Sequence, residues 1–216
     1  MKGLLSEDII HVKAFPEPPL SVPEIRRYAG LSACSREDIS PGGNAPENEE
    51  SSSAETLLRE CIDEALPCCS YKVSWRILGT EALPFMSEDL SRALRGASKC
   101  ILFAATVGPS FDRLLRKYAR LSPSKTLFFQ AIGAERAESL CEAFCREISG
   151  VLNEEMPGFR LLPRFSPGYG DLSLEVQRDV FSLLSLSHTL GITLSDSLLM
   201  SPSKSVTAVM GIGRDS

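Results

Sequence analysis

The sequence predicts an α+β fold: a mostly antiparallel, twisted sheet flanked by helices. Three observations point to it. Helical and strand-like segments mix without a regular βαβ repeat. Residues 71–77 alternate, with Tyr71, Val73, Trp75 and Ile77 apolar against Lys72, Ser74 and Arg76, the pattern of a strand with one buried face. Residues 126–151 place Ala137, Cys141, Phe144, Ile148 and Val151 on one helical face.

In chain order, residues 9–15 alternate as a strand, and a proline-rich stretch follows over 16–23. Pro23 suits the first turn of a short helix over 23–29, with Gly30 as its stop. Residues 32–53 hold almost no large apolar side chains, so ordering them is not repaid by burial. This divides the chain into an N-terminal strand and helix (1–31), a disordered insertion or linker (32–53) and a main body (54–216).

Ser52-x-x-Glu55 has the form of a capping box, and Leu58, Cys61, Ile62 and Ala65 follow at helical spacing until Pro67. After the 71–77 strand, Ser87 caps a helix to Arg95. The apolar run 99–107 reads as a buried strand broken by Gly108-Pro109. A helix over 110–121 precedes the long helix, which Pro157-Gly158 ends. A helix over 174–190 stops at Gly191, and residues 205–212 alternate as a final strand.

Composition excludes several functions. The 216 residues carry a net charge of -5 with no basic stripe, which argues against nucleic acid. Seven cysteines, an odd count, follow an N-terminus with Glu7 and Asp8 and no long apolar run, which predicts reduced thiols in a cytoplasmic protein. No apolar run approaches the roughly 20 residues of a membrane span. No CxxC pair, GxGxxG or GxxxxGK[ST] occurs, so metal and phosphate-cradle chemistry have weak support. The two histidines, His11 and His188, offer little for a zinc site or a triad; His188 suits a helix end.

Two features invite chemistry. Glu135, Glu138 and Glu142 share one helix face, either a solvated stripe or, at Glu142, a carboxylate on the edge of the apolar face. Residues 164–171 read RFSPGYGD. Pro167-Gly168 forms a turn whose glycine permits positive φ and close approach of a ligand. Arg164 offers a fork for a carboxylate, and Tyr169 a flat ring and a hydroxyl. On these residues alone, a structural turn and a ligand cradle both remain open.

The Arg164-x-x-x-Gly168-Tyr169 element resembles one in the activation domain of cobalamin-dependent methionine synthase. Residues 191–197 and 199–206 resemble the family's C-terminal stretch in the same order, and residues 140–144 resemble a helix contributing a pocket glutamate. The resemblance spans residues 125–212. It implies a stand-alone activation domain-like protein of methionine biosynthesis that binds S-adenosylmethionine through Arg164, Glu142, Ser166, Gly168 and Tyr169. No residue of its own would be catalytic. The domain would support reductive methylation of cob(II)alamin on a partner, a methionine synthase or related corrinoid protein, with a flavoprotein as electron donor. The chain has no Asp-x-His-x-x-Gly, so cobalamin would come only with that partner. The family's N-terminal aspartate for the ligand amine has no placed counterpart. The alternatives are a scaffold that does not bind the ligand and a reactivator of another corrinoid methyltransferase.

Overall fold

In the computed structural model, residues 5–7, 9–31 and 49–214 are described. Five strands form one sheet: β1 (His11–Ala14), β2 (Lys72–Gly79), β3 (Ala97–Thr106), β7 (Ser205–Arg214) and β4 (Phe159–Leu161), side by side in that order. Every pair of neighbours is antiparallel. The α+β class expected from the sequence is what folds.

Alternation in the strands sends side chains to two separate cores. Val73, Trp75, Ile101, Phe103 and Met210 meet one helical layer. That layer contains α1 (Val22–Tyr28), α2 (Glu49–Ala65), α4 (Pro109–Tyr118) and α5 (Pro123–Glu155). Leu78, Cys100, Leu102, Ala104 and Val209 meet a second layer, built on α3 (Glu88–Ala93), α6 (Gln177–Leu184) and α7 (Leu186–Thr189). This corrects the reading of 71–77 as a strand with one buried face: Ser74 is 0% exposed and Leu78 is 4% exposed. A second layer of helices covers the face that its polar residues marked as outward.

The long helix is the spine of the first layer. In α5, Phe144 packs its ring on Phe15, Trp75 and Phe103, with centroids 6.3, 5.3 and 5.0 Å away. The N-terminal segment is held to the same helix by a buried ion pair. Arg136 donates to Glu135 and to the carbonyls of Pro18 and Pro19, both at 2.8 Å. Glu135 in turn accepts from the Ser21 amide and the Ser139 hydroxyl. Glu135 and Arg136 are 2% and 0% exposed, so Glu135 belongs to no solvated stripe.

Three further expectations change. The helix predicted after the linker begins at Glu49, ahead of the supposed cap Ser52. Residues 49–53 are therefore helical rather than linker, supported by the packing of α2 on α5; residues 32–48 lie outside the described residues. The helix expected over 174–190 is divided at Ser185, which has φ 50°. Leu184 and Leu186 are both fully buried, and residues two apart cannot share a helix face, so the break lets both enter the core. The strands β4, β5 (Thr193–Leu194) and β6 (Met200–Ser201) were not anticipated; at 3, 2 and 2 residues they are too short to show alternation. Among the described residues, no helix is long and apolar enough to cross a membrane.

Phe144→Ala removes the ring on which both the N-terminal strand and the sheet pack. It is expected to cost about 3–5 kcal/mol, read from urea unfolding followed by Trp75 fluorescence.

Candidate ligand-binding site

The site is built on the outer edge of β7. After Leu161, the chain continues along that edge without regular strand geometry. The Leu162 amide donates to the Gly211 carbonyl at 2.8 Å, and Phe165 exchanges bonds with Val209 at 2.9 and 2.8 Å. Pro163 lies between them, tolerated because an edge position need not donate. The glycines of β7 permit this close approach: a Cβ at Gly211 would lie 2.8 Å from Leu162 and 2.9 Å from Ala97. Phe165 joins the second core, so its neighbour Arg164 turns the other way, toward α5.

There Arg164 donates from Nη2 to Glu138. Burial pulls the pKa of the guanidinium down, the Glu138 bond and the nearby Cys141 push it up, and the net direction is up, so it stays charged. The pair is only partly shielded, with side chains 28% and 41% exposed. An ion pair this open is worth at most about 1 kcal/mol. A ligand carboxylate can therefore exchange with Glu138 at little cost.

The turn beyond Arg164 is fixed at several points. Gly168 has φ 88° and donates to the Leu172 carbonyl at 2.9 Å. Gly170, with φ 54°, passes so close to α3 that a Cβ would lie 2.3 Å from the Asp89 carboxylate. Asp171 accepts from the Glu88 and Asp89 amides at 2.8 and 3.2 Å, capping α3 beside its N-cap Ser87. The Ser87 hydroxyl and these amides hold the Asp171 pKa below its ordinary value. Tyr169 is left 69% exposed at the tip.

A cleft of about 700 Å³ opens beside this turn. Arg164, Ser166 and Tyr169 line it, together with Glu138, Phe165, Gln177, Met200 and Thr207. Of the residues predicted to bind, Gly168 shapes the turn and is not among the lining residues. Glu142 is exposed and also absent from the lining: the carboxylate at the cleft is Glu138, one turn earlier on the same face. Gln177 was missed, although its place between Val176 and Val180 on an apolar helix face signals burial. It is 6% exposed, and its Oε1 has no hydrogen-bond partner among the described residues. Such an orphan costs about 1–3 kcal/mol.

Among the described residues, no cysteine or histidine lines the cleft. Burial pushes the Cys61 thiol to about 11 and those of Cys100 and Cys141 to about 12, which makes them core residues rather than nucleophiles. Among the described residues, no group of three or more His, Cys, Asp and Glu side chains could hold a metal ion. His11 stacks on Trp75 at 5.0 Å, and His188 is exposed in the last turn of α7.

No family model and no curated protein matches the chain. Among solved structures, it resembles the crystal structure of the MetH reactivation domain bound to AdoHcy, with a TM-score of 0.59 and 14% identity. The match covers 96% of this chain and 79% of that one. At this identity the likeness shows the fold, and the family resemblance of the sequence is supported at that level.

The Asp171 cap makes a pH prediction. Its folded pKa is depressed, so its stabilising contribution is complete above the unfolded value of about 3.9 and fades as pH falls through the folded value. The stability difference between the wild type and Asp171→Asn, measured by urea unfolding, should be larger at about pH 6 than at about pH 2.

Proposed function

We propose that the chain is an S-adenosyl-ligand-binding module of the methionine synthase reactivation type, acting on a corrinoid carried by a partner. The observation that carries this reading is the cleft at Arg164, on a fold resembling a reactivation domain whose structure holds AdoHcy. The residues present fit such a ligand. Arg164 offers its guanidinium to the amino-acid carboxylate, Glu138 stands ready for the ammonium on the same carbon, and Tyr169 presents an exposed ring to a base. Stacking of a base on an aromatic ring is worth about 1–3 kcal/mol.

When bound, S-adenosylmethionine would supply a sulfonium methyl group to the partner's corrinoid after its one-electron reduction by a flavoprotein, leaving S-adenosylhomocysteine. The chain's own residues bind and orient the ligand; none acts as acid, base or nucleophile. In this reading cobalamin is carried by the partner, a methionine synthase or related corrinoid protein, since the chain has no Asp-x-His-x-x-Gly. Reduced core cysteines accord with a cytoplasmic setting.

A second reading draws on the Arg164–Glu138 pair. With its guanidinium already paired to Glu138, the fold can serve as a docking scaffold that takes no ligand.

Calorimetric titration with S-adenosylmethionine separates the two. Binding is expected, weakened about 10- to 100-fold in Arg164→Ala, because a charge-assisted bond contributes about 1.5–3 kcal/mol. Failure to bind up to about millimolar ligand, equivalent to about -4 kcal/mol, with or without the corrinoid partner, rules the ligand reading out. A reconstituted reactivation assay unaffected by Arg164→Ala favours the scaffold.

A further inference from the structure

We propose that Gln177 selects the base of the bound ligand, pairing its carboxamide with the amino edge of an adenine; this rests on the reading of the cleft as an adenosyl-ligand site. The cleft joins the two helical layers around the edge of the sheet. Glu138 enters it from α5 in the first layer, and Gln177 from the start of α6 in the second. Arg164 and Glu138 define the end suited to the amino-acid group. Gln177 lines the same cleft from the opposite layer, and the exposed Tyr169 ring lines it too.

The chemistry of Gln177 matches a base better than any other part of such a ligand. Its side chain is 6% exposed, and its Oε1 is an acceptor without a partner among the described residues. A carboxamide carries an acceptor and a donor side by side. That pair complements the exocyclic amine and adjacent ring nitrogen of adenine, the geometry by which Gln reads adenine elsewhere. On the edge that Gln reads, the exocyclic amine with N7, replacing the amine with an oxo group leaves two acceptors side by side, so in either orientation the carboxamide oxygen faces an acceptor. A site built around an N–H group rejects an analogue that lacks it because its own polar group stays unpaired.

Calorimetry with S-adenosylhomocysteine and with S-inosylhomocysteine tests this. The wild type should bind the adenosyl form at least about tenfold more tightly. Gln177→Met should bind the two alike and melt no lower than the wild type, since the orphaned acceptor is gone. Gln177→Glu keeps the acceptor but loses the donor, so it should bind more weakly and retain the preference. A folded Gln177→Met that still prefers adenine, or a Gln177→Glu that does not, overturns the proposal; should Gln177→Met not fold, Gln177→Glu decides. A wild type that binds both ligands equally overturns it while leaving the proposed function intact. A wild type that binds neither overturns both.

Discussion

The outer edge of β7 is the constraint on which the site depends. One side of this strand is paired with β3 in the middle of the sheet. The other side must also be satisfied, because eight of its ten residues, from Thr207 to Gly213 with Ser205, are buried. Residues 159–165 meet that need, first as β4 and then as single bonds to Gly211 and Val209. Backbone pairing fixes which residues face which layer. Phe165 is committed to the second core, and Arg164 is thereby committed to α5. Glycine at 211 and 213 lets the Leu162 side chain lie against the strand: a Cβ at Gly211 would lie 2.8 Å from it and one at Gly213 3.0 Å.

The two Arg–Glu pairs on α5 show how burial separates structure from binding. Arg136 and Glu135 are sealed from solvent, and each has further partners in the segment at 18–21 or on the helix. Breaking such a pair strands a charge, at a cost of about 3–5 kcal/mol, so it serves as a clamp. Arg164 and Glu138 are partly exposed and joined through one nitrogen. Solvent screening keeps that pair weak, so it can open to an anion. The neighbouring turn is rigid for a different reason: Asp171 ties it to the amides at the start of α3, which holds Tyr169 outward without burying it.

Most elements were legible in the sequence because their signals are local. Alternation over 71–77 and 205–212, the apolar stripe of 126–151 and the Ser87 cap all correspond to observed elements. The Arg164-x-x-x-Gly168-Tyr169 element lies in the turn beside the cleft. Its limits were those of local reading. A helix face shows which carboxylates are neighbours but not which turn meets Arg164, so Glu142 was favoured and Glu138 lines the cleft. Likewise, Ser74 reads as outward until a second layer covers that face of the strand.

By itself, the sequence determined the α+β class, the order of the main elements and the turn that carries Arg164 and Tyr169, since each follows from periodicity, caps or glycine conformation within a few residues. The tertiary structure alone decided that Glu138 faces Arg164, that Gln177 is buried with an oxygen unpaired among the described residues, and that the helix after the turn breaks at Ser185. Those outcomes depend on the register of 159–165 along β7 and on two helical layers meeting at one sheet edge. Register and layer contacts join residues far apart in the chain, and no local pattern records them.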